Sequence, residues 1–125
     1  MIDKLPPRER QLFEALYALG EATATELQDA LEAAPSNSAV RVMLSRLEKK
    51  GVITHRSENN RFIYAPAMSE PKIQRSAVHR FVQTYFKGSP VGAAAALIGM
   101  SEKVSSEELD HLEQLIAKVR QEEAR

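Results

Sequence analysis

Apolar residues recur at helical spacing along most of the chain and alternate with polar ones in only one place. Leu12, Phe13, Leu16 and Tyr17 form a first stripe, in a helix opened by Leu5-Pro6-Pro7, running through Leu19 and closed by Gly20. Proline suits a first helical turn, where its missing N–H has no partner to lose. Thr23-Ala24-Thr25-Glu26 reads as a capping box for a second helix with Leu27, Ala30 and Leu31 facing inward. Ala33-Ala34-Pro35 breaks the chain. In Ser36 to Lys50, Val40, Met43, Leu44 and Leu47 share one face, and Gly51 after Lys49-Lys50 marks the helix end. Val52 to Arg56 and Arg61 to Ala65 then read as two strands, joined by turn chemistry in Ser57-Glu58-Asn59-Asn60.

Beyond Pro66 the pattern is helical again. Ser69 caps a helix with a broad apolar face of Ile73, Ala77, Val78, Phe81, Val82, Tyr85 and Phe86. Gly88-Ser89-Pro90 starts a small-residue helix, Val91 to Ile98. Ser105-Ser106-Glu107-Glu108 caps a last helix with Leu109, Leu112, Ile116 and Val119 in one seam and Leu115 beside it. The fold class expected is mainly α with a small β-hairpin: a helix-turn-helix with a wing over residues 1–68, and three helices over residues 69–125. Three helices of that length enclose a thin core, and a second copy is the simplest cover. The expected dimerisation residues are Phe81, Val82, Tyr85, Leu109, Leu112, Ile116 and Val119.

Charge sharpens the first half. The 125 residues have formal net charge zero, yet Ser36 to Pro66 holds Arg41, Arg46, Lys49, Lys50, Arg56 and Arg61 against only Glu48 and Glu58, a local +4. On the third helix Ser38, Arg41, Val42, Ser45 and Lys49 lie opposite the apolar stripe, with Arg46 on the flank. Cations and small hydroxyls on one helical face suit a major groove walled by phosphates. Candidate DNA contacts are therefore Asn37, Ser38, Arg41, Val42, Ser45, Arg46, Lys49 and Lys50 on the helix, and Arg56, Asn60 and Arg61 on the wing.

Other chemistry is sparse. His55, His79 and His111 have no metal-ligand spacing, no serine has a nucleophile elbow, and the five glycines form no phosphate-cradling loop, so neither an enzyme, a metal nor a cofactor is expected. There is no cysteine for disulfides or thiolate chemistry, and no membrane-spanning run or signal-peptide core, which points to the cytoplasm.

The stretch LPPRERQLFEALYALGEATATELQDAL resembles the opening of the penicillinase-repressor family. VRVMLSRLEKKGVI resembles that family's recognition helix and stop, RFIYAP its second wing strand, and SPVGAAAALI with VSSEELDHLEQLI its C-terminal region. The resemblance covers nearly the whole chain and implies a homodimeric winged-helix repressor. Three departures stand out, the first being that the cysteine pairs of the copper-responsive branch are absent, which excludes copper sensing through them. Family recognition helices usually carry threonine where this chain has Ala39 and Val42. The Asn-Phe bond cut during antibiotic induction falls near Leu97-Ile98, which does not match, so a sensor-protease partner finds no support there.

The function expected is thus a sequence-specific repressor binding a double-stranded operator. The rival is a winged-helix module that binds proteins instead of DNA; such modules carry acid or apolar residues on the third helix, where Val42 is the one outward apolar residue here. A ligand-sensing repressor finds no convergent polar cluster in the sequence.

Overall fold

A computed structural model describes residues 2–33, 35–100 and 103–124. A 3₁₀ turn at Ile2–Lys4 leads into α1 (Pro7–Leu19), α2 (Ala24–Ala30), α3 (Asn37–Lys49), β1 (Ile53–Glu58), β2 (Arg61–Pro66), α4 (Glu70–Tyr85), α5 (Pro90–Met100) and α6 (Ser106–Glu123). Packing divides the chain into one unit through Phe81 and a second from Val82, within the last turn of α4.

The first unit follows its hydrophobic stripes. Leu12, Phe13 and Leu16 of α1, Leu27 of α2, and Val40, Leu44 and Leu47 of α3 converge with Val52, Ile53 and Tyr64 in one core. Each such side chain, fully buried, contributes about 1.5–3 kcal/mol of transfer free energy. Ile73 in the first half of α4 joins that core. The α2 capping box forms as its sequence predicts: Glu26 N–H donates to Thr23 Oγ1 at 3.2 Å, and Thr23 N–H to Glu26 Oε1 at 3.0 Å. Ala30, however, is exposed and Leu31 only half-buried, because α2 ends at Ala30 and the chain leaves it extended.

The hairpin is tighter than the turn residues suggest. Ser57 and Glu58 belong to β1, and Glu58 pairs with Arg61, so only Asn59 and Asn60 form the loop. Both have positive φ, 52° and 62°. Two left-handed residues give the turn whose twist matches antiparallel strands, and asparagine tolerates that backbone. Ala22 adds an isolated antiparallel bridge on the other edge of β2: its N–H and C=O both bond Tyr64, at 3.0 and 2.8 Å. The wing is thereby fixed to the link between α1 and α2. Gly51, at φ 78°, supplies the left-handed residue that turns α3 into β1.

The second unit has little interior. Val82 and Ala93 are buried, while no described residue of α6 is. Ser105 and Glu108 form the capping box that starts α6. Inside this unit α5 and α6 flank an apolar cleft of about 530 Å³ lined by Ala94, Leu97, Ile98, Val104 and Leu112, with His111 at its edge.

Candidate nucleic-acid interface

Helix α3 begins where Ser36 Oγ accepts the Ala39 N–H at 3.1 Å. Its buried face is Val40, Met43, Leu44 and Leu47. Ser38, Arg41, Val42, Ser45, Arg46 and Lys49 are exposed, and Val42 keeps half its surface open. Asn37 is half-buried: its Nδ2 donates to Gln28 Oε1 at 3.1 Å, and its Oδ1 accepts from Arg41 Nε at 2.7 Å. Gln28 Nε2 in turn donates to the Pro35 carbonyl at 3.1 Å. This chain locks α3 onto α2 and holds the Arg41 side chain beside the first turn of α3.

The wing brings Asn60 and Arg61 alongside. They line a recess of about 350 Å³ with Arg41, Thr23, Thr25, Phe62 and Tyr64. Arg41 and Arg61, twenty residues apart in sequence, thus share one concavity on the wing side of α3. On the other side, Pro6, Pro7, Arg8 and Glu9 of the α1 start form a second recess with Ala39, Val42, Met43 and Arg46.

The cations of this surface fall into two groups. Among the described residues Arg8, Arg46, Lys49 and Arg61 form no ion pair within 4.0 Å. Lys50, by contrast, places Nζ 2.8 Å from Oε1 of Glu9, a carboxylate only 5% exposed. Arg56 bonds Glu21 twice and Glu58 once. These pairs hold the Glu21 carboxyl below its ordinary range, first through the Arg56 hydrogen bonds and then through its charge, and push the Arg56 guanidinium further up. Sequence reasoning missed Arg8, which stands far from α3 along the chain and meets it only through the packing of α1.

His55 Nδ1 lies 2.6 and 2.8 Å from the Glu48 oxygens, and its ring stacks 4.4 Å from that of Phe62. The wing face and the last turn of α3 are joined by that contact. No group of three His, Asp or Glu side chains able to hold a metal occurs among the described residues, and no helix there is long and apolar enough to cross a membrane.

The profile of the penicillinase repressor family matches residues 5–118. The chain belongs to the penicillinase repressor family. The penicillinase repressor of Bacillus licheniformis is 27% identical over 81 residues, which span 65% of this chain and 62% of that protein. Among solved structures, the DNA-binding domain of the repressor BlaI is 25% identical with a TM-score of 0.49, covering 56% of this chain and 88% of that one. A MarR mutant from E. coli complexed with operator DNA has a TM-score of 0.54 at 18% identity, over 93% of this chain and 76% of that one. YusO of Bacillus subtilis reaches 0.53 at 20% identity, over 95% and 77%. The two likenesses of higher TM-score give the fold: a winged helix followed by helices.

Within this penicillinase repressor family member, Ala39 and Val42 both line the α1 recess and differ in exposure: Ala39 is half-buried there, whereas Val42 keeps half its surface open. Leu97-Ile98 lies inside α5. Of the residues expected to pair two copies, Val82 is buried and Leu112 half-buried; Phe81, Tyr85, Leu109, Ile116 and Val119 are exposed within the single chain.

Proposed function

We propose that this chain is a sequence-specific DNA-binding transcriptional repressor that acts as a homodimer on a dyad operator. The outward face of α3 carries the reading: Arg41, Arg46 and Lys49 alternate there with Ser38, Ser45 and Val42, over a stripe that is wholly in the core. Hydroxyls and a guanidinium meet base edges, Val42 meets a thymine methyl, and the flanking cations meet phosphates. Residues 1–68 serve as the DNA-binding part and residues 69–125 as the dimerisation part. Asn37 acts by positioning Arg41. Lys50 and Arg56 act first through their carboxylate partners.

The dimer follows from what α6 leaves open. Leu109, Leu115, Ile116 and Val119 are 42–55% exposed on one helix of a unit with little interior of its own. A self-complementary two-fold seam covers such a stripe at least cost in new surface types. Two copies also double the phosphate contacts that a local charge of +4 provides. No cleavage step at Leu97-Ile98 belongs to this proposal, because that pair does not match the Asn-Phe bond of the family.

Binding to random duplex DNA across a salt series tests the reading. A linear fall of log affinity with log salt concentration is expected, followed by recovery of a preferred inverted repeat on selection from a random pool. No salt-dependent binding by the full chain would refute it.

A further inference from the structure

The exposed ridge of α3 has a recess on each side. With residues about 100° apart around the helix, Ser38, Ser45 and Lys49 form its crest, Arg41 falls on one flank, and Val42 and Arg46 on the other. The Arg41 flank opens into the wing recess with Arg61; the Arg46 flank opens into the α1 recess with Arg8. We infer that these two recesses seat the two sugar-phosphate strands that wall a single major groove, and that Arg8 is a phosphate contact on the side away from the wing. The inference rests on the DNA-binding reading above and goes beyond it by assigning a strand to each recess and a role to α1.

Size and charge support the assignment. A major groove is about 12 Å wide, and an α-helix with its side chains is about 10–12 Å across. A helix filling the groove therefore brings both walls against whatever flanks it. Each flank here carries an arginine from another element for the phosphates, Arg61 from the wing on one side and Arg8 from α1 on the other, while Arg41 and Arg46 of α3 stand between these and the crest. The acids nearby are already engaged. Glu9 in the α1 recess is met by Lys50 at 2.8 Å, so Arg8 and Arg46 leave that recess positive. Glu26, close enough to Arg61 for its charge to be felt, is held in the Thr23 capping box. Pro6 and Pro7 give the α1 recess a rigid wall with few polar groups to desolvate.

The test uses the full chain and a short duplex selected by it from a random pool. Arg8→Ala and Arg61→Ala should each lower the salt slope by about 1 per subunit bound, with a several-fold loss of affinity, whereas Arg8→Lys should keep the slope. Ethylation interference should separate them: Arg8→Ala loses sensitivity at phosphates of one strand of each half-site, Arg61→Ala at phosphates of the other. Circular dichroism melting checks that each variant is folded. An unchanged slope and ethylation pattern for Arg8→Ala, beside a loss for Arg61→Ala, overturns the inference and leaves the DNA-binding reading standing. Loss of the same phosphates by both variants also overturns it. Failure of the parent to select or bind any duplex removes the reading itself.

Discussion

Arg56 on the wing closes its guanidinium over the carboxylate of Glu21, Nη1 2.8 Å from Oε2 and Nη2 3.0 Å from Oε1. Glu21 precedes Ala22, whose two backbone bonds to Tyr64 already dock the wing, so the ion pair clamps the same junction from the side. A cation so engaged has less charge to offer a phosphate. Glu21→Ala should therefore raise affinity for duplex DNA and steepen its salt dependence, while Arg56→Ala should cost less affinity than Arg61→Ala. Anisotropy titrations of the three variants decide this; weaker binding by Glu21→Ala would show that the clamp, not the freed charge, matters.

The same pair sets a response to acid. Arg56 holds Glu21 below its ordinary value of 4.5, and the Thr23 backbone N–H does the same for Glu26. A carboxylate lowered in the folded state binds fewer protons there than in the unfolded chain. Its contribution is present above the ordinary value and is lost as pH falls through the lowered one. Melting temperature should thus fall as pH drops from about 5 to about 3, and Glu21→Gln should flatten that slope. Parallel melting curves for parent and variant would remove Glu21 from the account.

What was legible in the sequence was local. The stripe of Val40, Met43, Leu44 and Leu47 sits at helical spacing, and every member is buried. Asn59-Asn60 announced a turn because few residues accept left-handed backbone, though its two-residue length depended on pairing Glu58 with Arg61. The partners that decide which cations remain available were not legible. Glu9 looks like one surface charge among several in PPRERQ, yet α3 buries it under Lys50. Glu21 and Arg56 are 35 residues apart, and only the Ala22–Tyr64 bridge brings them together. His55 has no nearby ligand in sequence because its partner, Glu48, lies across the turn at Gly51.

The Glu9–Lys50 pair should respond unequally to its two deletions. Lys50 is partly exposed, with 44% of its side chain open, while the Glu9 side chain is 7% open. Lys50→Ala strands a buried carboxylate, which costs about 1–3 kcal/mol; Glu9→Gln leaves an exposed ammonium that water can solvate and keeps a polar partner. Thermal melts should rank parent, then Glu9→Gln, then Lys50→Ala. A Lys50→Ala variant as stable as the parent would mean that Glu9 finds another partner.

Two residues of α3 should fail differently when truncated. On the proposed reading Lys49, on the crest near the helix end and without an ion pair among the described residues, is a phosphate contact, so Lys49→Ala should weaken all duplexes alike and lower the salt slope by about 1 per subunit. On the same reading Arg41, held by Asn37 at 2.7 Å, meets a base edge, so Arg41→Ala should change which sequences are preferred. Asn37→Ala, which removes that hold, should blur the same preference more weakly. Selection from a random pool with each variant reads the outcome, and identical preferred sequences for parent and Arg41→Ala would place Arg41 on the backbone instead.

The last expectation concerns the second copy. Ile116 and Val119 are 53% and 55% exposed on α6, so a charge at Ile116 costs the isolated chain little. In a two-fold seam it faces its own symmetry mate or the apolar residues around it, and a charge buried there without a partner is strongly unfavourable. Ile116→Asp should therefore yield monomers whose first unit stays folded, because none of the described residues of that core lies on α6. Such a monomer should keep weak, salt-sensitive binding to any duplex and lose tight binding to a dyad. Two identical recognition helices related by two-fold symmetry require inverted half-sites about one helical turn apart, ~10 bp, or a multiple of it. Sedimentation of the parent at micromolar concentration is the direct measurement: a single species at 13.9 kDa would reject the dimer and the dyad together.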